Sequence, residues 1–138
     1  MTKAIQKTIT MPPHPKFLNE VRELLAETLA DVKLSKRDKD LVVLAVDEAV
    51  SSIVTYARYK GTNHDVSVTI DINDVRFKAS VVDSQNVFDI NGGLSDPTRL
   101  AKERTFTMGI FLMRQIMDEV VYTYRKGFEN ELQLIKFL

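Results

Sequence analysis

The chain has 138 residues, 44% of them hydrophobic, which suits one compact domain that buries about two thirds of its unfolded surface. Nineteen basic residues balance nineteen acidic ones, so no overall field draws the chain toward phosphate backbones or anionic membranes, and nucleic acid is not an expected partner. With no cysteine there is neither a disulfide framework nor a thiolate metal site, and apolar stretches such as Leu41 to Val46 and Met108 to Met113 fall well short of the roughly 20 residues of a membrane span.

The opening Met1 to Ala4 lacks the apolar core of a secretory signal, and a cytoplasmic protein is expected. Lys3 to Met11 has strand character, which Pro12, Pro13 and Pro15 end by fixing the backbone and removing amide donors. A helix follows, because Phe17, Val21, Leu24, Leu25, Thr28 and Leu29 recur at three- and four-residue steps opposite Asn19, Glu20, Arg22, Glu23 and Glu27. Ser35 and Asp38 have capping-box spacing and Gly61 suits the position beyond a helix end, so the spacing predicts a helix over Lys36 to Lys60. Leu41, Val42, Leu44, Ala45, Ala49, Ile53, Val54 and Ala57 surround more than half of that helix, which makes it a buried one.

Val66, Val68, Ile70 and Ile72 alternate with polar residues, Asn73 and Asp74 turn the chain, and Val75, Phe77, Ala79 and Val81 alternate again as the second arm of a hairpin. From Asp83 to Phe106 the periodicity fails around Gly92, Gly93 and Pro97, a length without pattern that marks a functional lid or loop. A helix from about Thr107 to Asp118 precedes a closing hairpin, Glu119 to Lys126 and Glu131 to Leu138, turning at Gly127 to Asn130. The order β-α-α-β-β-α-β-β is that of an α+β, two-layer α/β sandwich, with three helices on one face of a mixed, mostly antiparallel sheet. One domain spans residues 1–138.

Within the buried helix Glu48 and Ser52 stand one turn apart on the same face, where a carboxylate and a hydroxyl meet a ligand or, equally, a solvated acid sits beside a small packing residue. Asp83 ends a strand, as a turn-former does or as an acceptor for a ligand does. Arg99, Lys102 and Arg104 either neutralise an anion or are simply solvated. His14 and His64 have no metal-ligand companions at useful spacing and read as surface residues, while Met108, Met113 and Met117 at helical spacing read as adaptable core filler.

Taken together, Asp47-Glu48-Ala49-Val50, the stretch Asp83 to Asp89, and Thr107-Met108-Gly109-Ile110-Phe111-Leu112 running on to Val120 resemble the ATP-binding lobe of the anti-sigma-factor serine kinases, which belong to the superfamily of gyrase and histidine-kinase ATPases. The resemblance implies that fold, with ATP and magnesium as cofactors. It casts Glu48 as the catalytic base toward the attacking hydroxyl and Asp83 as the acceptor of the adenine amino proton. The family's magnesium-ligating asparagine is Ser52 here, whose oxygen sits on a shorter stem. Its glycine box after the aspartate carries Gln85 and Val87, and its glycine-rich turn keeps Gly109 but has Thr107 in place of the other glycine. Glycine in such boxes lets backbone approach the ligand without an intervening Cβ. Arg104 is the candidate phosphate neighbour, and a threonine of the last strand that helps hold adenine corresponds to Glu131.

The expected site is therefore Glu48 as catalytic residue, with Ser52, Asp83, Gln85, Arg104, Thr107 and Gly109 around nucleotide and Ser52 as the one magnesium ligand. Because the departures all fall on ligand-facing positions while the apolar scaffold is intact, the expected function is a homodimeric partner-switching regulator. It would bind a sigma factor and an anti-sigma-factor antagonist, with ATP and magnesium binding reduced or lost. The alternatives are an active serine kinase of the same type, and a lone interaction module with an ATPase-like fold.

Overall fold

In the computed structural model, which describes residues 4–61, 64–83, 109, 111–123 and 130–138, strand β1 (Ile5–Met11) stops at Pro12 as the proline cluster dictates. A 3-10 turn over Pro15–Phe17 follows, capped by His14, whose Nδ1 accepts the Lys16 amide at 3.1 Å. It leads into α1 (Leu18–Leu29), which buries Val21, Leu25, Thr28 and Leu29. Thr28 is tolerated among them because its hydroxyl donates to the carbonyls of Leu24 and Leu25, leaving its methyl to pack.

Helix α2 (Lys36–Lys60) has the bounds that its capping residues predict. The Ser35 hydroxyl accepts the Asp38 amide at 3.0 Å, and Gly61 closes the helix at φ +73°. Val42, Ala45, Val46, Ala49, Val50, Ile53, Val54 and Ala57 are buried, whereas Leu44, expected in the apolar girdle, is 41% exposed. Leu44 lies on the row that continues through Glu48 and Ser52, so the outer face of α2 begins there.

Strands β2 (Val66–Ile72) and β3 (Arg76–Asp83) form the expected hairpin. Val75 belongs to its turn rather than to the strand and is 64% exposed, because the Asn73 side-chain oxygen accepts the amides of both Val75 and Arg76. Gly109 and residues 111–116 are helical and form α3, followed by β4 (Glu119–Thr123) and β5 (Asn130–Phe137). Lys136 locks the end of α3 to β5, donating to the Ile116 carbonyl at 3.2 Å and lying 3.6 Å from Asp118. Met113 and Met117 are core residues, as their spacing predicts. Met108, the loop over 84–106 and residues 127–129 of the turn expected at Gly127 to Asn130 lie outside the described residues, while Asn130 opens β5 and does not belong to the turn.

Among the described residues five strands form one sheet in the order β1-β2-β3-β5-β4, and every pairing is antiparallel. The helices cover one face, with α2 packed on β3 and β5 and α1 on α2 and β2. The covered face supplies Val66, Val68, Ile70, Ile72, Phe77, Ala79, Val81, Leu132 and Leu134 to the core. The other face is polar near β1, where Thr8 meets Thr69 and Thr10 meets Ser67, each pair at 3.0 Å. The α+β two-layer sandwich of the sequence reading is the structure of the chain. No described helix is long and apolar enough to cross a membrane.

Candidate functional site

Helix α2 is held by its apolar side on β3 and β5, which turns the row Leu44, Glu48 and Ser52 away from the sheet and leaves Glu48 and Ser52 half-buried. Onto that row comes the start of α3. A Cβ placed on Gly109 would lie 3.3 Å from Glu48 Oε2, 3.5 Å from Ser52 Oγ and 3.8 Å from Met113 Cε. Residues singled out in two separate parts of the sequence are thus side by side. Gly61 is the one positive-φ glycine of the described residues, so what Gly109 contributes is a close approach of its backbone and not unusual dihedral angles.

Beside Glu48, the Arg22 Nε of α1 donates to Asp47 Oδ1 at 2.7 Å while another guanidinium nitrogen of Arg22 donates to Asn19 Oδ1 at 2.9 Å. The hydrogen bond to Asp47, and then its charge, raise the guanidinium pKa above its ordinary value. Arg22 is nearly half exposed, so this ion pair contributes at most about 1 kcal/mol, and its main effect is to fix α1 against the turn of α2 that carries Glu48.

The second group lies at the far end of the central strands. Asp83 and Asn130 are cross-strand partners on β3 and β5, in step with Val81 and Leu132 and hence on the helix-covered face, at 3% and 2% exposure. Both polar atoms of the Asn130 carboxamide are buried without a hydrogen-bond partner. Such an amide costs roughly 1–3 kcal/mol when left unpaired, and a buried water or a ligand is what ordinarily satisfies it.

Glu131, which the motif comparison placed at the adenine-facing position, is opposite Val82 on the other face of the sheet, and its carboxylate accepts from Gln133 Nε2 at 2.9 Å. A one-residue shift in a strand exchanges faces, so it is Asn130 and not Glu131 that shares the helix-covered face with Asp83. Strand parity was the available signal, since Asn130 continues the inward positions of Leu132 and Leu134.

Gln85, Arg104 and Thr107, with Val87, Arg99 and Lys102, lie outside the described residues. His14 caps a turn and His64 is exposed. Among the described residues no three His, Cys, Asp or Glu side chains gather as a metal site. Magnesium demands near-octahedral oxygen at about 2.0–2.1 Å, and here one carboxylate and one short-stemmed hydroxyl are packed against backbone at Gly109. The described residues offer such an ion one carboxylate and one hydroxyl oxygen, and its remaining positions are commonly filled by water and phosphate. The Asp83 and Asn130 end presents a buried carboxylate beside an orphaned amide.

An antiparallel sheet in this strand order, a buried helix presenting a carboxylate beside a glycine, and an aspartate ending the central strand define a histidine-kinase-type ATPase lobe. The pattern of the histidine kinase-like ATPase domain matches residues 11–136, and the chain belongs to that family. Within it the chain resembles the anti-sigma-factor serine kinases. It is 26% identical over 115 residues to the serine-protein kinase RsbW of Bacillus licheniformis, a match covering 79% of this chain and 72% of the relative. Its fold is that of a protein in the SiaB–SiaC complex from Pseudomonas aeruginosa, with TM-score 0.69 at 18% identity over 94% of this chain and 88% of the other. It also superposes on a structure of RsbU and RsbW domains from Mycobacterium tuberculosis, with TM-score 0.68 at 18% identity, covering 96% of this chain but only 32% of that one.

Proposed function

We propose that the chain is a cytoplasmic partner-switching regulator of the anti-sigma-factor type. It binds a sigma factor and an anti-sigma-factor antagonist in turn, works as a homodimer, and has lost most or all of its affinity for magnesium-bound ATP. Membership of the ATPase family supports the scaffold, and the RsbW and SiaB likenesses support a partner-switching role. The observation that carries the loss of metal is the packing of Gly109 against Glu48 and Ser52, where a single neutral hydroxyl stands at the position of the family's magnesium ligand.

The decisive experiment is thermal unfolding of the chain with ATP, with and without magnesium. A ligand at a hundredfold excess over its dissociation constant adds about 2.7 kcal/mol, and the expected result is no magnesium-dependent gain. Ser52→Asn restores an amide oxygen on a longer stem and should bring such a gain back. A magnesium-dependent shift in the parent chain that Asp83→Asn abolishes overturns the proposal. Affinity capture from cytoplasm should return a sigma factor or an antagonist, and return of neither favours an interaction module of another kind.

The second reading is a working serine kinase, favoured by the retention of Glu48, Asp83 and Gly109 and by the RsbW kinase relatives. In it Glu48 takes the proton of a serine hydroxyl on the antagonist. Phosphoryl transfer to a purified antagonist, lost in Glu48→Gln, would establish it.

A further inference from the structure

Helix α3 brings Gly109 onto the Glu48 row, and the question is what fixes where along its axis the helix stops. Among the described residues of this segment the buried ones are Met113 and Met117, at 0% and 5% exposure. Methionine is unbranched and fills irregular space, so a helix seated on methionines can slide with little loss of packing. Gly109 brings no side chain to lock into a hole. The position-specific contacts lie at the opposite end, where α3 runs into β4.

There β5 holds the chain through three consecutive residues. The Asp118 amide donates to the Ile135 carbonyl at 2.9 Å, and the Phe137 amide donates to Asp118 Oδ2 at 2.6 Å. Lys136 Nζ donates to the Ile116 carbonyl at 3.2 Å and lies 3.6 Å from Asp118 Oδ1. Lys136 is the unexpected member of the set. It continues the inward positions of Leu132 and Leu134 and is paired across the ladder with Phe77, which is fully buried. By alternation an apolar residue suits that position, and an ammonium largely withdrawn from water is costly unless it is paired. The side chain is 22% exposed, and its charge is met by Asp118 and by the carbonyl end of α3, where the helix dipole favours a cation.

We propose that Lys136 is a positioning residue for the Glu48 end of the site. With Asp118 it sets the axial stop of α3, and so how closely the Gly109 backbone approaches Glu48 and Ser52. The rise from Gly109 to Ile116 is about 10 Å of hydrogen-bonded helix, which carries an axial displacement at the latch through to the glycine. The inference rests on the reading of the Glu48 row as the site and adds to it a residue of the last strand that lies away from that row.

Lys136→Met keeps the unbranched stem, suits an inward position and removes the charge with its donors. It should fold, with the circular dichroism of the parent chain, while the Gly109 amide and Glu48 side-chain carboxyl resonances shift. A second readout is the coupling between Gly109→Ala and Glu48→Ala, measured by urea unfolding in the parent and in Lys136→Met chains. That coupling should vanish in Lys136→Met, whereas a side chain that only adds stability would leave it in place. Lys136→Arg keeps the charge and the donors and should restore both resonances and coupling. Should Lys136→Met fail to fold, native-state hydrogen exchange of the parent chain decides. The Phe137 amide of the latch and the Met117 amide, bonded to the Met113 carbonyl at 2.8 Å, should then open together, with protection equal to within about tenfold. Unmoved resonances or a surviving coupling in Lys136→Met, the same losses in Lys136→Arg, or protection of the two amides differing by more than about tenfold overturns the proposal. The partner-switching reading fails separately, in affinity capture with the parent chain, which does not involve Lys136 variants.

Discussion

Replacing Gly109 with alanine tests whether α3 is seated on the Glu48 row. The added methyl would stand 3.3 Å from Glu48 Oε2, inside ordinary van der Waals contact, and 3.5 Å from Ser52 Oγ, just within it. The glycine has no positive φ to protect, so alanine also gains up to about 1 kcal/mol of helix propensity. Crowding and propensity oppose one another, and the single variant should lie within about 1 kcal/mol of the parent chain. In a Glu48→Ala background the crowding is gone and the same substitution should stabilise by roughly 0.5–1 kcal/mol. The coupling in a double-mutant cycle equals the crowding that Glu48 imposes on the methyl, expected at about 0.5 kcal/mol, so the single variant should be less stabilising than the same change in the Glu48→Ala background by that amount. Glu48→Gln keeps the bulk and should keep the single-variant behaviour, since the effect is steric. Urea unfolding with a common m-value measures all six proteins, the parent and the Glu48→Ala and Glu48→Gln backgrounds each with and without the alanine. Equal stabilisation by alanine in the parent and Glu48→Ala backgrounds would refute the contact, and with it the packing argument against magnesium.

Gly61→Ala should cost about 1–2 kcal/mol, because at φ +73° a Cβ is strained even though nothing lies within 4 Å of it, and Gly61→Asn should cost less. Chemical denaturation showing alanine and asparagine alike would argue against the left-handed cap. Ser35→Ala removes the acceptor of the Asp38 amide and should lower stability by about 1 kcal/mol, with Ser35→Asp close to the parent, as followed by the midpoint of a urea melt. Arg22→Ala should change stability by less than about 1 kcal/mol, and raised salt should shrink the difference, as expected of a half-exposed pair. A loss of several kcal/mol on that change would mean the guanidinium is buried in solution.

Much of the fold was legible because periodicity and punctuation agree. The bounds of α2 follow from Ser35 and Gly61, and the alternation of Val66 to Ile72 fixes β2 with its inward face. The partial failures share one cause. Val75 has strand-like chemistry but sits where Asn73 draws two amides into the turn, and Leu44 has core chemistry but falls on the outward row. Propensity speaks for a residue, while exposure is decided by what packs over it. Strand parity puts Asn130, and not Glu131, on the helix-covered face.

The sequence by itself determined the element order, the helix caps, the apolar faces and the motif kinship, all of which are local patterns written at fixed spacing. Only the tertiary structure decided that Gly109 lies against Glu48 and Ser52, and that Asn130 faces Asp83 with its amide unpaired. Those juxtapositions join distant parts of the chain through strand register and helix seating, and neither is a property of any one segment.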